Sequence, residues 1–315
     1  MPLLFGRRLG RLGGAVPAAS ERRETGHPAD VAACVAGAAP RRHGAAPLQP
    51  QPADAVGPPL LHGGGECAQL IDLGFKTCKR HNSEAQQMQR PAVGTQEELR
   101  GVATASLEVE DLPPEHRRLM AEMQRRVAEL TGVPVHQHEE INPFLKFDQP
   151  AGQDLQGDDL SIGLHMDVNG GFPFCVCSVI IYLNDVEQGG RTVFPCTDLR
   201  CRELGCQLAR AGHTHTSHSS ASGKAADLVR LAGEEGLRIS PRAGAALWFF
   251  SLGDAGEVDG SSWHGGAAVG GHLGKWTLQI FKEVPLPQRT DLGAFCAALR
   301  RRAAGLATAD LTSLD

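Results

Sequence analysis

From about residue 139 onward the chain is cut into seven short runs rich in β-branched and aromatic residues, with turn residues between them. They read "INPFLKF", "IGLHMDV", "CVCSVIIYLND", "GGRTVFP", "GLRISP", "GAALWFFSL" and "KWTLQIFKEV". Several strands separated by turn signals predict an antiparallel sandwich or barrel. Two helical patterns come first. "ECAQLIDLGFKTCKRH" places Cys67, Leu70, Ile71, Phe75 and Cys78 at helical spacing. After Pro113 and Pro114, Leu119, Met120, Met123, Val127 and Leu130 make one apolar stripe, which Gly132 and Pro134 end. The methionines of that stripe read as core. Residues 91–114 read as irregular. Helices first and strands later predict an α+β chain with an all-β core.

The 315 residues allow one large or two ordinary domains, and 41% hydrophobic content is enough for a core. A net charge of −5 does not describe a polyanion-binding surface, so nucleic acid is not the expected partner. No apolar run reaches the roughly 18 residues of a transmembrane helix. Residues 1–65 differ from the rest, being rich in Ala, Pro, Gly and Arg without a sustained period. The first 50 hold seven arginines, no lysine and three acids. Such a stretch buries too little apolar surface to offset its ordering entropy, and reads as a disordered or targeting segment. The opening "MPLLFGRRLGRLGG" is too short in apolar residues for a secretory signal. Nine scattered cysteines are an odd count and no disulfide framework.

Within "SIGLHMDVNG", His165 and Asp167 stand two residues apart. On a strand they project from one face. An imidazole beside a carboxylate suits Fe(II), Mn(II) or Zn(II). Alone, such a pair is more often a hydrogen-bonded strand pair than a metal site, and a metal needs a third ligand. His264 in "SSWHGGAAVGGHLGKW" is the better candidate, because Gly265 and Gly266 beside it let backbone approach a bulky site. His272 is its competitor, in a glycine-rich turn. Two histidines and a carboxylate on one face of an octahedral ion leave three positions open, the arrangement of non-haem Fe(II) oxygenases.

"HMD", "IIYLNDVEQGGRTVFP", "GLRISPRAGAALWFF" and "SSWHGGAAVGGHLGKW" occur in the order and character of the prolyl 4-hydroxylase catalytic domain. The chain resembles this family of Fe(II)/2-oxoglutarate-dependent dioxygenases over residues 66–284, most densely over 145–284. The resemblance implies a double-stranded β-helix (jelly roll) with helices packed outside. It implies Fe(II) on His165, Asp167 and His264, with 2-oxoglutarate and O2 as cosubstrates, ascorbate as cofactor and a proline-containing peptide or protein as substrate. Lys275, before Trp276, matches the family lysine for the distal carboxylate of 2-oxoglutarate; the related lysyl hydroxylases usually carry arginine there. Many family members work in the secretory pathway. No partner subunit is legible.

Three departures bear on cofactor affinity and substrate choice. Ile162 stands where the family often has tyrosine, and Tyr182 is the chain's one tyrosine. His264 and Lys275 are eleven residues apart, one more than usual, which places the extra residue in the glycine turn at 270–274. An insertion spans 196–235, with Cys196, Cys201 and Cys206, then His213, His215 and His218. These admit a zinc site, but the spacing is not C-x2-C and the run is low in complexity, so it reads as a solvated loop, followed by a short helix in "KAADLVRLAGEEG". Trp263, Trp276 and Phe249 read as core, and Arg191 and Thr192 lie in a matching motif without an assigned role. Residues 285–315 read as a C-terminal helical tail, in which 291–315 form an exposed amphipathic helix whose Arg300, Arg301 and Arg302 face solvent. The alternatives to peptidyl-proline hydroxylation are the same chemistry on another side chain, or a metal-binding jelly roll without turnover.

Overall fold

The structure is a computed structural model that describes residues 60–61, 64–80, 102–150, 164–168, 173–196, 199–215, 228 and 236–312. Side chains are described in all of these but 64, 79–80, 199–200 and 304–312. The strands in chain order are β1 (Lys79–Arg80), β2 (Val102–Ser106), β3 (Phe144–Asp148), β4 (Cys175–Tyr182), β5 (Gln188–Gly189), β6 (Thr192–Phe194), β7 (Leu237–Ile239), β8 (Ala246–Phe250), β9 (Gly265–Gly266), β10 (Val269–Gly270) and β11 (Lys275–Glu283). The helices are α1 (Gly64–Thr77), α2 (Pro114–Thr131), α3 (Leu199–Arg210) and α4 (Leu292–Thr312).

Six strands form one antiparallel sheet in the order β1-β2-β3-β11-β4-β8. A three-stranded sheet, β7-β6-β9, and a two-stranded one, β10-β5, complete the β structure, and none of the described sheets closes into a barrel. The large sheet is covered on one face by helices. There Trp276 and Leu278 of β11, Leu145 and Phe147 of β3 and Ile181 of β4 are fully buried. Trp276 packs edge-on against Phe75 of α1 at 5.1 Å and against Phe147 at 4.9 Å. Burial of each such side chain contributes about 1.5–3 kcal/mol. The other face meets the three-stranded sheet through a second cluster, in which Ile180 and Phe249 pack with Phe194 and Ile239.

The helices end where their sequences dictate. Pro114 lies at the start of α2, where it has no intrahelical donor to lose. Gly132 caps the end at φ 77°, its N–H donating to Ala128 O at 2.9 Å. Leu119, Met120, Met123 and Val127 are buried, as the stripe predicts. No helix among the described residues is long and apolar enough to cross a membrane.

Four expectations are corrected. Residues 91–114 are not irregular throughout: Val102–Ser106 form β2, paired residue by residue with β3. Its buried positions are Ala103 and Ala105, small residues of low strand propensity, which hid the alternation. "IGLHMDV" is no regular strand; His165 makes isolated bridges to His264 and His215, and Ile162 lies outside the described residues. The insertion is not merely a solvated loop, because α3 buries Cys201 and Leu208. The helix expected over 224–236, apart from Leu228 and Gly236, and His218 lie outside the described residues. The tail helix is docked, not exposed: Cys296, Leu299 and Ala303 are buried. Arg300 donates to Leu252 O at 2.7 Å and to Asp259 Oδ2 at 2.6 Å. Structure is also described before Glu66, since α1 begins at Gly64 and the buried Leu61 donates its N–H to Gly244 O at 3.2 Å.

Gly74 lies in α1 under Trp276, and a Cβ there would stand 2.3 Å from Trp276 Cζ3. Replacing glycine by alanine in a helix interior gains about 1 kcal/mol, whereas overpacking costs about 1–3 kcal/mol. Wedged between Phe75 and Phe147, the indole has no room to move. Gly74→Ala is therefore expected to lower unfolding free energy by up to about 2 kcal/mol in urea titrations; a more stable variant would show that the indole yields.

Candidate metal centre

Two backbone hydrogen bonds hold His165 and His264 side by side: His165 N–H donates to His264 O at 2.8 Å, and His264 N–H to His165 O at 2.9 Å. Asp167, two residues on, turns its carboxylate to both rings. Its Oδ1 is 3.7 Å from His165 Nε2, and its Oδ2 is 3.9 Å from His264 Nε2. One ligand atom from each of the three lies within 4.8 Å of the others, and no other such trio of His, Cys, Asp or Glu occurs among the described residues. His272 is not part of the group; it sits in the exposed turn before β11, its N–H donating to Glu187 Oε2 at 3.2 Å. Nor do the cysteines of the insertion make a metal site, since Cys196 and Cys201 form a disulfide and Cys206 stays free.

The ligand atoms are oriented from behind. His264 is buried, and its Nδ1 lies 2.9 Å from Ser262 O. An N–H donated there leaves the Nε2 lone pair pointing at the group. Ser178 Oγ donates to Asp167 Oδ2 at 2.5 Å. The element carrying His264 is itself clamped. A 3-10 turn, Gly260–Ser262, lies flush on α3, where Trp263 Nε1 donates to Gly205 O at 3.1 Å. A Cβ at Gly205 would lie 2.5 Å from Gly260 O, and one at Gly260 would lie 2.3 Å from Arg202 O, so both contacts require glycine. Asp259 caps the turn and is ion-paired to Arg300. Burial pushes its carboxyl up, but Arg300 and Ser261 outweigh this and hold it below its ordinary range.

His165 and His264 border a cavity of about 220 Å³ between the sheets. Lys275, Thr277 and Gln279 line it from β11, and Phe144, Lys146 and Asp148 from β3, with Thr192, His264, Gly265 and Gly266 opposite. Lys275 is no surface lysine; it is 4% exposed. Its Nζ donates to Gly190 O at 3.0 Å and lies 3.1 Å from Asp148 Oδ2. Lys146 Nζ lies 3.1 Å from the other oxygen of Asp148. Burial pushes the Lys275 ammonium down, opposed by Asp148. Burial pushes Asp148 up, but the two lysines outweigh it and lower its pKa. Thr277 Oγ1 is buried without a hydrogen-bond partner among the described residues, an orphan that a polar ligand in the cavity would satisfy.

Sequence reading missed Lys146, Asp148 and Ser178. The signal was alternation: Lys146 and Asp148 are polar at i and i+2 of a buried strand, and Ser178 interrupts an apolar run. Thr192, noted without a role, lines the cavity, with Tyr182 OH 2.7 Å from its Oγ1. Tyr182 thus supports the wall from behind. Trp276 belongs to the opposite face of the sheet, while the ring of Phe249 packs on His264 at 4.6 Å.

Partners that orient a metal ligand are worth about 10–100-fold in affinity. Ser178→Ala is expected to weaken Co(II) binding by about that factor in absorbance titrations, with circular dichroism unchanged. Undiminished affinity would show that Asp167 needs no orienting partner.

No protein-family model matches the chain. Among curated proteins, "Probable prolyl 4-hydroxylase 10" of Arabidopsis thaliana is 30% identical over 153 residues, covering 48% of this chain and 45% of that protein. "Probable prolyl 4-hydroxylase 3" of the same organism is 28% identical over 153 residues, with coverage of 48% and 45%. The chain thus spans less than half the length of the curated relatives it matches. Among solved structures, the viral collagen prolyl hydroxylase of Paramecium Bursaria Chlorella virus-1, as its 2OG complex, is 14% identical with a TM-score of 0.38, covering 70% of this chain and 91% of that one. HygX from Streptomyces hygroscopicus, with nickel, 2-oxoglutarate and hygromycin B bound, is 12% identical with a TM-score of 0.39, covering 72% and 81%. The curated proteins to which the chain is similar are thus named as probable prolyl 4-hydroxylases.

Proposed function

We propose that the chain is an Fe(II)/2-oxoglutarate-dependent dioxygenase that hydroxylates proline in a peptide or protein. The observation that carries this is the convergence of His165, Asp167 and His264 at a cavity whose wall holds the buried cation Lys275. Two imidazoles and a carboxylate are a donor set that fits a divalent first-row ion and leaves positions open on it. The orphaned Thr277 hydroxyl and the buried lysine fit a ligand with a carboxylate at its far end. Iron and 2-oxoglutarate, when bound, supply the oxidative chemistry, coupling decarboxylation of the 2-oxo acid by O2 to hydroxylation of a C–H bond.

The chain's own residues bind, orient and shield. Lys275 takes the distal carboxylate. Ser178 and Ser262 fix the ligands Asp167 and His264. The buried rings of Phe194 and Phe249 pack on His264 at 5.6 and 4.6 Å and keep water from it. His165 is the more open ligand, with 28% of its side chain exposed, and the substrate proline reaches the site from that side. The large sheet and the β7-β6-β9 sheet are read as the two halves of a double-stranded β-helix. Ascorbate serves as the reductant that keeps the iron ferrous. A second reading, a metal-binding module without turnover, draws on one observation: Lys275 is already ion-paired to Asp148.

The test is succinate release from 2-oxoglutarate with Fe(II) and ascorbate, with and without proline-rich peptides, followed by mass spectrometry of the peptides. The expected outcome is a peptide heavier by one oxygen atom, lost in His165→Ala and after chelation. Turnover without an oxidised peptide would reject the proline substrate. Absence of turnover in the iron-loaded protein would favour the module.

A further inference from the structure

We propose that Lys146, Lys275 and Thr277 form the subsite for the far carboxylate of a 2-oxo diacid, and that Asp148 is a built-in carboxylate that positions both lysines and competes with the diacid for them. The inference rests on Lys275 being the cosubstrate anchor. It adds that the anchor is shared. Lys275 and Asp148 face each other across the β11–β3 register, as do Thr277 and Lys146. Alternation then puts all four side chains on the cavity face. Asp148 divides its oxygens between the lysines, each at 3.1 Å. It is 6% exposed and Lys275 4%, so neither charge has ready access to water.

Such a pair cannot be taken apart cheaply, because removing one partner leaves the other charge buried. Without ligand, Asp148 neutralises one of the two lysines. That keeps a buried ammonium next to an empty cavity. An entering carboxylate meets the remaining positive charge and the unpartnered Thr277 hydroxyl. It gains less from Lys275 than it would from an unpaired lysine, since Asp148 already holds that ammonium. Asp148 therefore lowers affinity for the diacid while keeping the ligand-free protein folded. It does nothing for a 2-oxo acid that lacks the far carboxylate.

The test uses the full chain loaded with Ni(II), which cannot turn over. Calorimetry and ligand-induced thermal shifts are measured for 2-oxoglutarate and for 2-oxopentanoate, which has the same chain length but no distal carboxylate. Asp148→Asn is expected to melt lower without ligand and to bind 2-oxoglutarate on the order of tenfold tighter, the usual size of coupling through one shared group. Its affinity for 2-oxopentanoate is expected to stay unchanged. Lys146→Met is expected to weaken 2-oxoglutarate binding alone, by a similar factor. A folded Asp148→Asn that binds 2-oxoglutarate no tighter than the parent overturns the proposal. Should that variant fail to fold, Lys146→Met decides, and unchanged 2-oxoglutarate binding overturns it. Lys275→Ala separates this from the underlying reading: if it still prefers the diacid, Lys275 is not the anchor.

Discussion

Strand β11 is hydrogen-bonded along both edges, to β3 and to β4. A strand held on both sides cannot twist a side chain away from its assigned face, so alternation along it is binding. Trp276, Leu278 and Ile280 must go to the helical side, and Lys275, Thr277 and Gln279 to the cavity. The indole and the lysine are chain neighbours, yet one anchors the core and the other faces the site. The hydrophobic contacts of Trp276 with Phe75 and Phe147 therefore hold Lys275 in the cavity, because a slip of one residue would bury the lysine among helices. Gly274 lets the turn into β11 pass close to the core, for a Cβ there would stand 2.1 Å from Phe147 Cε2.

The metal-ligand candidates are placed differently. None lies within a long strand. His165 and His264 occupy a single isolated bridge, which would be free to shift if nothing backed it. The backing comes from two segments far away in sequence. α3 presses on the turn before His264 through paired glycines, and α4 reaches over to hold Asp259 through Arg300. From the other side, Thr214 O accepts the N–H of Met166, between His165 and Asp167. The insertion thus touches both parts of the trio. A buried ion pair such as Arg300–Asp259 is weak evidence of net stability, but it fixes geometry, since either charge alone would be costly in that place.

What the sequence makes legible follows from how regular each element is. The apolar stripe of α2 and the strong runs of β4, β8 and β11 are long enough for their period to appear, and they form as predicted. His165, Asp167 and His264 are legible as candidates because residue type and motif order single them out, and the structure brings the three together. α3 is harder to see. Cys201, Leu204, Gly205 and Leu208 follow i, i+3, i+4, i+7 spacing, but a glycine and a cysteine in the stripe weaken the pattern. Its packing partner at Gly260 is distant in sequence, so the reason for Gly205 is invisible there. Asp148 is harder still. A polar residue at the end of a strand reads as a boundary; Lys146 stands two positions before it on the same strand, but that Lys275 lies across from it is set by strand register.

Charge balance links the two ends of the site. Within the cavity and the trio, the ionised groups are Lys146, Lys275, Asp148 and Asp167. The lysines and carboxylates cancel, so in low dielectric the site without an ion presents no strong net field to a dianion. Under the proposed occupancy a divalent cation changes this. It adds positive charge at the His165–Asp167–His264 end and leaves the Lys146–Lys275 end with its own local excess, since Asp148 is shared between two cations. A 2-oxo diacid carries one carboxylate for each end. Metal and diacid would then favour each other's binding equally, without any movement of the chain. Asp148 sets how much of the lysine field is left for the diacid, because it lies between Lys146 and Lys275.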